Sequence, residues 1–105
     1  MEYNPYALTG KTILVTGASS GIGRAVAIEC SRLGAHVILS ARNKEKLEET
    51  LKMMEGHGHQ VIECDLSKEK EVSLLIDEVP EIQGLVNNAG TTMTVPVPFI
   101  KFNVL

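Results

Sequence analysis

The stretch Thr12-Ile13-Leu14-Val15-Thr16-Gly17-Ala18-Ser19-Ser20-Gly21-Ile22-Gly23 decides the fold. Its opening run is apolar and partly β-branched, which suits a buried strand. Glycines and small side chains follow, and then a helical pattern begins. Glycine lets the backbone turn tightly and lets an anion approach without meeting a Cβ. A helix start offers free N–H groups and the positive end of its dipole. Strand, glycine turn and helix N-terminus together make a pyrophosphate cradle. Its candidate residues are Gly17, Ser19, Ser20, Gly21, Ile22 and Gly23. Glycines at a strand–helix joint also serve turn geometry alone, so their placement carries the weight.

Working outward, strand-like and helix-like segments alternate. Gly21 to Leu33 reads as a helix with Ile22, Val26, Cys30 and Leu33 on one stripe, and Gly34 stops it. His36–Ala41 reads as a second strand. Asn43 caps a helix over Lys44–Met54 whose stripe is Leu47, Leu51 and Met54. Gln60–Cys64 is a third strand. Ser67 caps a further helix carrying Val72, Leu75, Ile76 and Val79, closed by Pro80. Gly84–Asn87 is a fourth strand. Short apolar strands joined by amphipathic helices form a parallel sheet with right-handed crossovers. The class is therefore α/β, a three-layer doubly wound sheet of about four strands in the order 3-2-1-4.

Ligands of such sheets bind at the carboxyl ends of the strands, beside the switch between strands one and four. The glycine turn, Arg42, Asp65 and Asn87–Gly90 all fall there. Arg42 and Asn43 end the second strand, about 25 residues past Gly17, where a site for NAD commonly has an acid to accept from the ribose 2′-OH. The Arg42 fork suits a 2′-phosphate instead. NADP is the expected cofactor, with NAD possible. A basic residue in place of Ser20 would have added to that case. Asp65 can accept from an adenine amino group while Leu66 packs on the ring, or it can cap the next helix. Asn88, Ala89 and Gly90 are small enough for close approach of a ribose, and are also ordinary turn formers.

Composition narrows the partners. The chain has 105 residues, one domain at most, with 44% hydrophobic and 22% charged residues, as in ordinary soluble domains. A net charge of −3 argues against a nucleic-acid partner. No apolar run reaches the roughly 20 residues of a membrane span, and the N-terminus lacks the pattern of a secretory signal. A cytoplasmic address is expected. Cys30 and Cys64 lack the spacing of a redox or zinc pair and read as reduced, buried residues. His57-Gly58-His59 reads as a turn rather than a metal site, and His36 as structural.

Leu8 to Gly90 closely resembles the short-chain dehydrogenase/reductase family. The resemblance rests on the TGxxxGxG spacing, then Asp65-Leu66, then Asn87-Asn88-Ala89-Gly90, in that order and at those distances. It implies a Rossmann-type dinucleotide fold, NAD(P) at the residues just named, and a role for Thr16 and Asn87 in tying strands one and four together. In that family a Ser and a Tyr-x-x-x-Lys pair, often with an Asn, carry the catalysis. Here the only tyrosines, Tyr3 and Tyr6, precede the first strand, and four residues beyond them stand Ala7 and Gly10. No catalytic residue is assigned, and no turnover is expected of these residues alone. Asn103-Val104-Leu105 looks like the sequence around the family's catalytic Asn but sits too close to Gly90. The segment Thr91–Leu105 holds a single charge, Lys101, among many apolar residues. It is expected to be irregular or to pack, with strand four, on a second copy, making a homo-oligomer.

Overall fold

The computed structural model describes residues 8–65, 67–79 and 81–88. Seven elements alternate along them: β1 (Thr12–Thr16), α1 (Gly21–Arg32), β2 (His36–Ala41), α2 (Lys44–Met53), β3 (Gln60–Glu63), α3 (Glu69–Glu78) and β4 (Gly84–Asn87). The strands form one parallel sheet in the order β3-β2-β1-β4, as the sequence pattern predicts. Register sets Thr16 beside Ser40 on one side and beside Asn87 on the other. Ser40 in turn lies beside Ile62. The ends of all four strands are thereby brought level.

Side chains of a strand alternate between faces, so a strand covered on both sides must be apolar throughout. β1 shows this directly. Ile13 and Val15 join Val37, Leu39, Ala27 and Leu47 in a core under α1 and α2. Leu14 points the other way and joins Ile38, Val72, Leu75, Val79 and Ile82 under α3. The result is three layers with the sheet in the middle.

Some local expectations need correction. The inward line of α1 is Gly23, Ala27 and Ser31, one position on from the expected stripe, and Ile22 is 71% exposed. The turn before α1 brings that helix so close to the sheet that only small residues fit inward. The larger Val26, Cys30 and Leu33 flank the contact and are partly covered. β3 ends one residue before Cys64, although the Cys64 N–H still donates to the Ala41 carbonyl at 2.9 Å. The N-cap of α3 is Lys68, not Ser67. Ser67 is drawn away because its hydroxyl and N–H both donate to the Asp65 carboxylate. Pro80 and the segment Thr91–Leu105, with Asn103, lie outside the described residues. Asn43 does cap α2, accepting from the Lys46 N–H at 3.1 Å.

β1 and β4 are joined by more than the ladder. The fully buried Thr16 hydroxyl lies 3.0 Å from Asn87 Oδ1, to which it donates, and accepts from the Asn88 N–H at 3.0 Å. Thr16→Val keeps the shape and strands both partners. It should lower unfolding free energy by about 2 kcal/mol, read from urea denaturation.

Candidate functional site

A cavity of about 590 Å³ opens at the carboxyl ends of β1, β2 and β3. The glycine turn forms one wall: Gly17, Ser19, Ser20, Gly21 and Ile22 all line it. Arg42 and Asn43, just beyond β2, form the second wall, and Asp65 and Asn88 close it from β3 and β4. The structure thus gathers residues up to 71 positions apart that the sequence marked separately. Leu66, Ala89 and Gly90 lie outside the described residues.

Gly23 works from behind the wall. A Cβ there would collide with the Gly17 carbonyl oxygen and stand 2.7 Å from its carbon. Hydrogen alone fits, so α1 can start directly under the turn. Gly17 and Gly21 sit at φ of 65° and 58°, the left-handed region that side chains resist. Ser20, the N-cap of α1, is extended and makes no side-chain capping bond, so its hydroxyl is available to a ligand. The first N–H groups of α1 have no partners within the helix and face this end of the sheet.

The charged walls differ in commitment. Arg42 is exposed and makes no ion pair among the described residues. Arg42 also borders a second, more open hollow lined by Asn43, Lys44, Glu45, Glu48 and Glu63. Asp65 accepts through Oδ1 from the Ser67 hydroxyl at 2.6 Å and from the Ser67 N–H at 3.0 Å. Those bonds hold its carboxyl below the usual carboxylate range, with smaller help from the charges of Arg42 and Lys68. Its other oxygen can take a donor such as an amino group.

Sequence reading missed other lining residues: Ser40, Ala41, Lys46, Cys64 and Ser67. Strand register could have found Ser40 and Cys64, which stand one residue before the end of β2 and one residue past the end of β3. Ser40 is informative because its hydroxyl is buried without a hydrogen-bond partner. Such a group is costly unless something in the cavity completes it. Cys64 is 2% exposed, and its thiol is pushed up to about 11 by burial, then by Glu71, Asp65 and Glu78. It stays protonated at neutral pH and is no nucleophile. His59 is engaged elsewhere: Nδ1 accepts from the Val37 N–H at 3.0 Å, so Nε2 carries the proton and donates to the Glu55 carbonyl at 2.7 Å. Among the described residues no cluster of three or more His, Cys, Asp or Glu could hold a metal ion.

Free amides on one wall, a cation on the second and a carboxylate closing the cavity suit a ligand that carries phosphates at one place and an amino group at another. An open doubly wound sheet with that cavity at its switch point defines an α/β nucleotide-binding domain. The family model for short chain dehydrogenase matches residues 11–104, and the chain belongs to that family. It is 45% identical over 85 residues to 3-oxoacyl-(acyl-carrier-protein) reductase of Rickettsia felis, covering 81% of this chain and 35% of that one. It is 43% identical over 101 residues to 3-ketodihydrosphingosine reductase of Mus musculus, covering 86% and 30%. A short chain dehydrogenase from Escherichia coli CFT073, solved in complex with NADPH, superposes with a TM-score of 0.75 at 36% identity, over 82% of this chain and 40% of that one. The chain thus spans about a third of the length of the curated relatives it matches.

Two measurements check this geometry. Gly23→Ala should force α1 off the turn and lower the thermal midpoint by about 5 °C or more, since a buried overlap typically costs 1–3 kcal/mol. The raised thiol of Cys64 makes a contribution to stability that is full below pH 9, where the unfolded thiol is still protonated. It is lost as pH rises toward about 11, because the unfolded thiol ionises before the folded one. Denaturation at pH 8 and pH 10.5 should therefore show a larger loss in the wild type than in Cys64→Ala.

Proposed function

We propose that this chain binds NADP(H) and forms the dinucleotide-holding part of an oxidoreductase. The carrying observation is that the amide-lined glycine turn, the uncommitted Arg42 and the oriented Asp65 surround one cavity. In this reading the turn and the start of α1 hold the pyrophosphate, where N–H groups and the helix dipole favour an anion. Arg42 clamps the 2′-phosphate with its planar fork, and the Ser20 hydroxyl assists on the opposite wall. Asp65 accepts from the adenine amino group, and Asn88 stands beside the ribose, with Leu66, Ala89 and Gly90 assigned to the same pocket from sequence. The orphaned Ser40 hydroxyl and the room left by Gly17 and Gly21 fit this occupant.

When bound, the nicotinamide supplies hydride exchange with a carbonyl or alcohol carbon. The relatives named above are reductases of oxo or keto compounds by name, so carbonyl reduction is the reaction class we assign to the whole protein. These residues contribute binding and orientation. No Tyr-x-x-x-Lys pair occurs in the sequence to donate the proton. That observation favours a second reading, a dinucleotide-binding module without turnover of its own. Both readings expect no carbonyl reduction by the purified chain, and detectable turnover would overturn that expectation. Among the described residues β4 pairs on one side only, with β1, so its outer edge is open. We place a self-association contact there, in a cytoplasmic protein; no helix of the described residues is long and apolar enough to cross a membrane.

Isothermal titration tests the cofactor. Arg42→Ala should weaken NADP⁺ by about tenfold or more and NAD⁺ by less than about threefold, because only the former carries the 2′-phosphate. Equal losses for the two cofactors would remove Arg42 from the clamp.

A further inference from the structure

The glycine turn is held from the side away from the cavity by two residues that its motif does not include. Arg24 of α1 reaches across to α2, where Nε donates to the Thr50 hydroxyl at 2.8 Å. The other end of its fork donates to the Ser19 carbonyl at 2.7 Å and to the Lys46 carbonyl at 3.2 Å. Glu49 lies 3.4 Å from the same nitrogen and balances the charge. Thr50 is fully buried, and its hydroxyl lies 2.8 Å from the Ala18 carbonyl and 3.2 Å from the Lys46 carbonyl. It has one proton, and the shorter contact takes it. The chain of donation runs from Arg24 through Thr50 to Ala18, with a parallel arm from Arg24 to Ser19.

Peptide planarity turns this clasp into an orientation. In a trans peptide the N–H points opposite to the C=O, and the described chain has no cis bonds. Drawing the Ala18 carbonyl toward Thr50 aims the Ser19 N–H the other way. Drawing the Ser19 carbonyl toward Arg24 does the same for the Ser20 N–H. Neither N–H has an acceptor among the described residues, whereas the Ala18 N–H is taken by the Ser40 carbonyl at 3.2 Å. Ser19 and Ser20 both line the cavity.

We propose that Arg24 and Thr50 are positioning residues for the phosphate cradle. By engaging the carbonyls of Ser19 and Ala18 from the α2 side, they hold the amides of Ser19 and Ser20 open toward a phosphate in the cavity. The proposal rests on the dinucleotide reading and extends it: α2 sets the turn that meets the phosphates. Donors fixed in advance lose less on binding than donors that must reorient.

The seam between α1 and α2 supplies its own control. At its other end the Glu55 N–H donates to the Ser31 hydroxyl at 3.0 Å, remote from the cavity. Four variants of the full chain are titrated with NADP⁺ at a temperature where each is folded, and their thermal midpoints are recorded. Thr50→Val and Arg24→Met should weaken NADP⁺ by about three- to tenfold, as expected for losing one or two oriented hydrogen bonds. Thr50→Ser, which keeps the hydroxyl, should bind like the wild type. Ser31→Ala should lower the thermal midpoint and leave NADP⁺ affinity unchanged. Wild-type affinity in Thr50→Val overturns the proposal, and so does an equal loss in Ser31→Ala. Should Arg24→Met fail to fold, the Thr50→Val and Thr50→Ser pair decides. A wild-type chain that binds no NADP⁺ overturns the dinucleotide reading itself, and this proposal with it.

Discussion

The distance between the end of β1 and the start of α1 governs the rest of the structure. At position 23 there is room for a hydrogen and nothing more beneath the Gly17 carbonyl. That close approach lets α1 lie on the sheet through Gly23, Ala27 and Ser31. It also sets the first turn of α1 directly behind the cavity wall, where the helix dipole acts within about one turn of its source. A helix displaced by even a methyl would loosen its packing on Val15, Val37 and Leu39. It would also carry its free amides away from the strand ends. Fold and site therefore depend on one contact for different reasons, packing density in the first case and electrostatic reach in the second.

The sheet then aligns everything else. Parallel pairing of β1 with β2 and β4, and of β2 with β3, levels the strand ends, so residues just past each strand share one rim. Thr16 sits at the centre of that rim and is buried, tying Asn87 and the Asn88 amide to the strand that carries the glycine turn. The polar bonds beneath the cavity are short and shielded, while the charged groups around it are exposed. That division suits a site whose frame stays still and whose arginine is free to meet a ligand.

Much of this was legible in the sequence, and the reasons are physical. Strand order and number follow from period: buried parallel strands are apolar throughout, and the helices carry one apolar side. Gly17, Arg42 and Asp65 could be placed at one end because each follows a strand. On α1 hydrophobicity points to the stripe through Ile22, whereas the close approach selects for smallness one position on, and Ile22 faces solvent at the mouth of the cavity. The sequence points to Ser67 as a cap because serine usually serves there. Nothing local shows that the nearby Asp65 carboxylate would compete for it and win. Ser40 is written as one polar residue in an apolar strand, and only the register with Thr16 and Ile62 shows that its hydroxyl is left alone at the cavity.

Arg24 is the sharpest case of what pattern cannot show. An arginine in the first turns of an exposed-looking helix reads as a solvated charge, and an ion pair with Glu49 at the surface would be worth little. Its significance comes from α2, whose Thr50 is buried against the turn from 26 residues away in sequence. A cation at a helix N-terminus opposes the dipole there. Arg24 escapes that penalty by turning its fork toward carbonyl oxygens of the turn and of α2, away from the cavity. Glu49, 3.4 Å from that fork, balances its charge. In the proposed reading the amides and Arg42 are left as the groups a phosphate meets. On the proposal made for Arg24 and Thr50, backbone geometry comes first and side-chain charge second in readying the cavity for a phosphate, and α2 is the element that enforces the order.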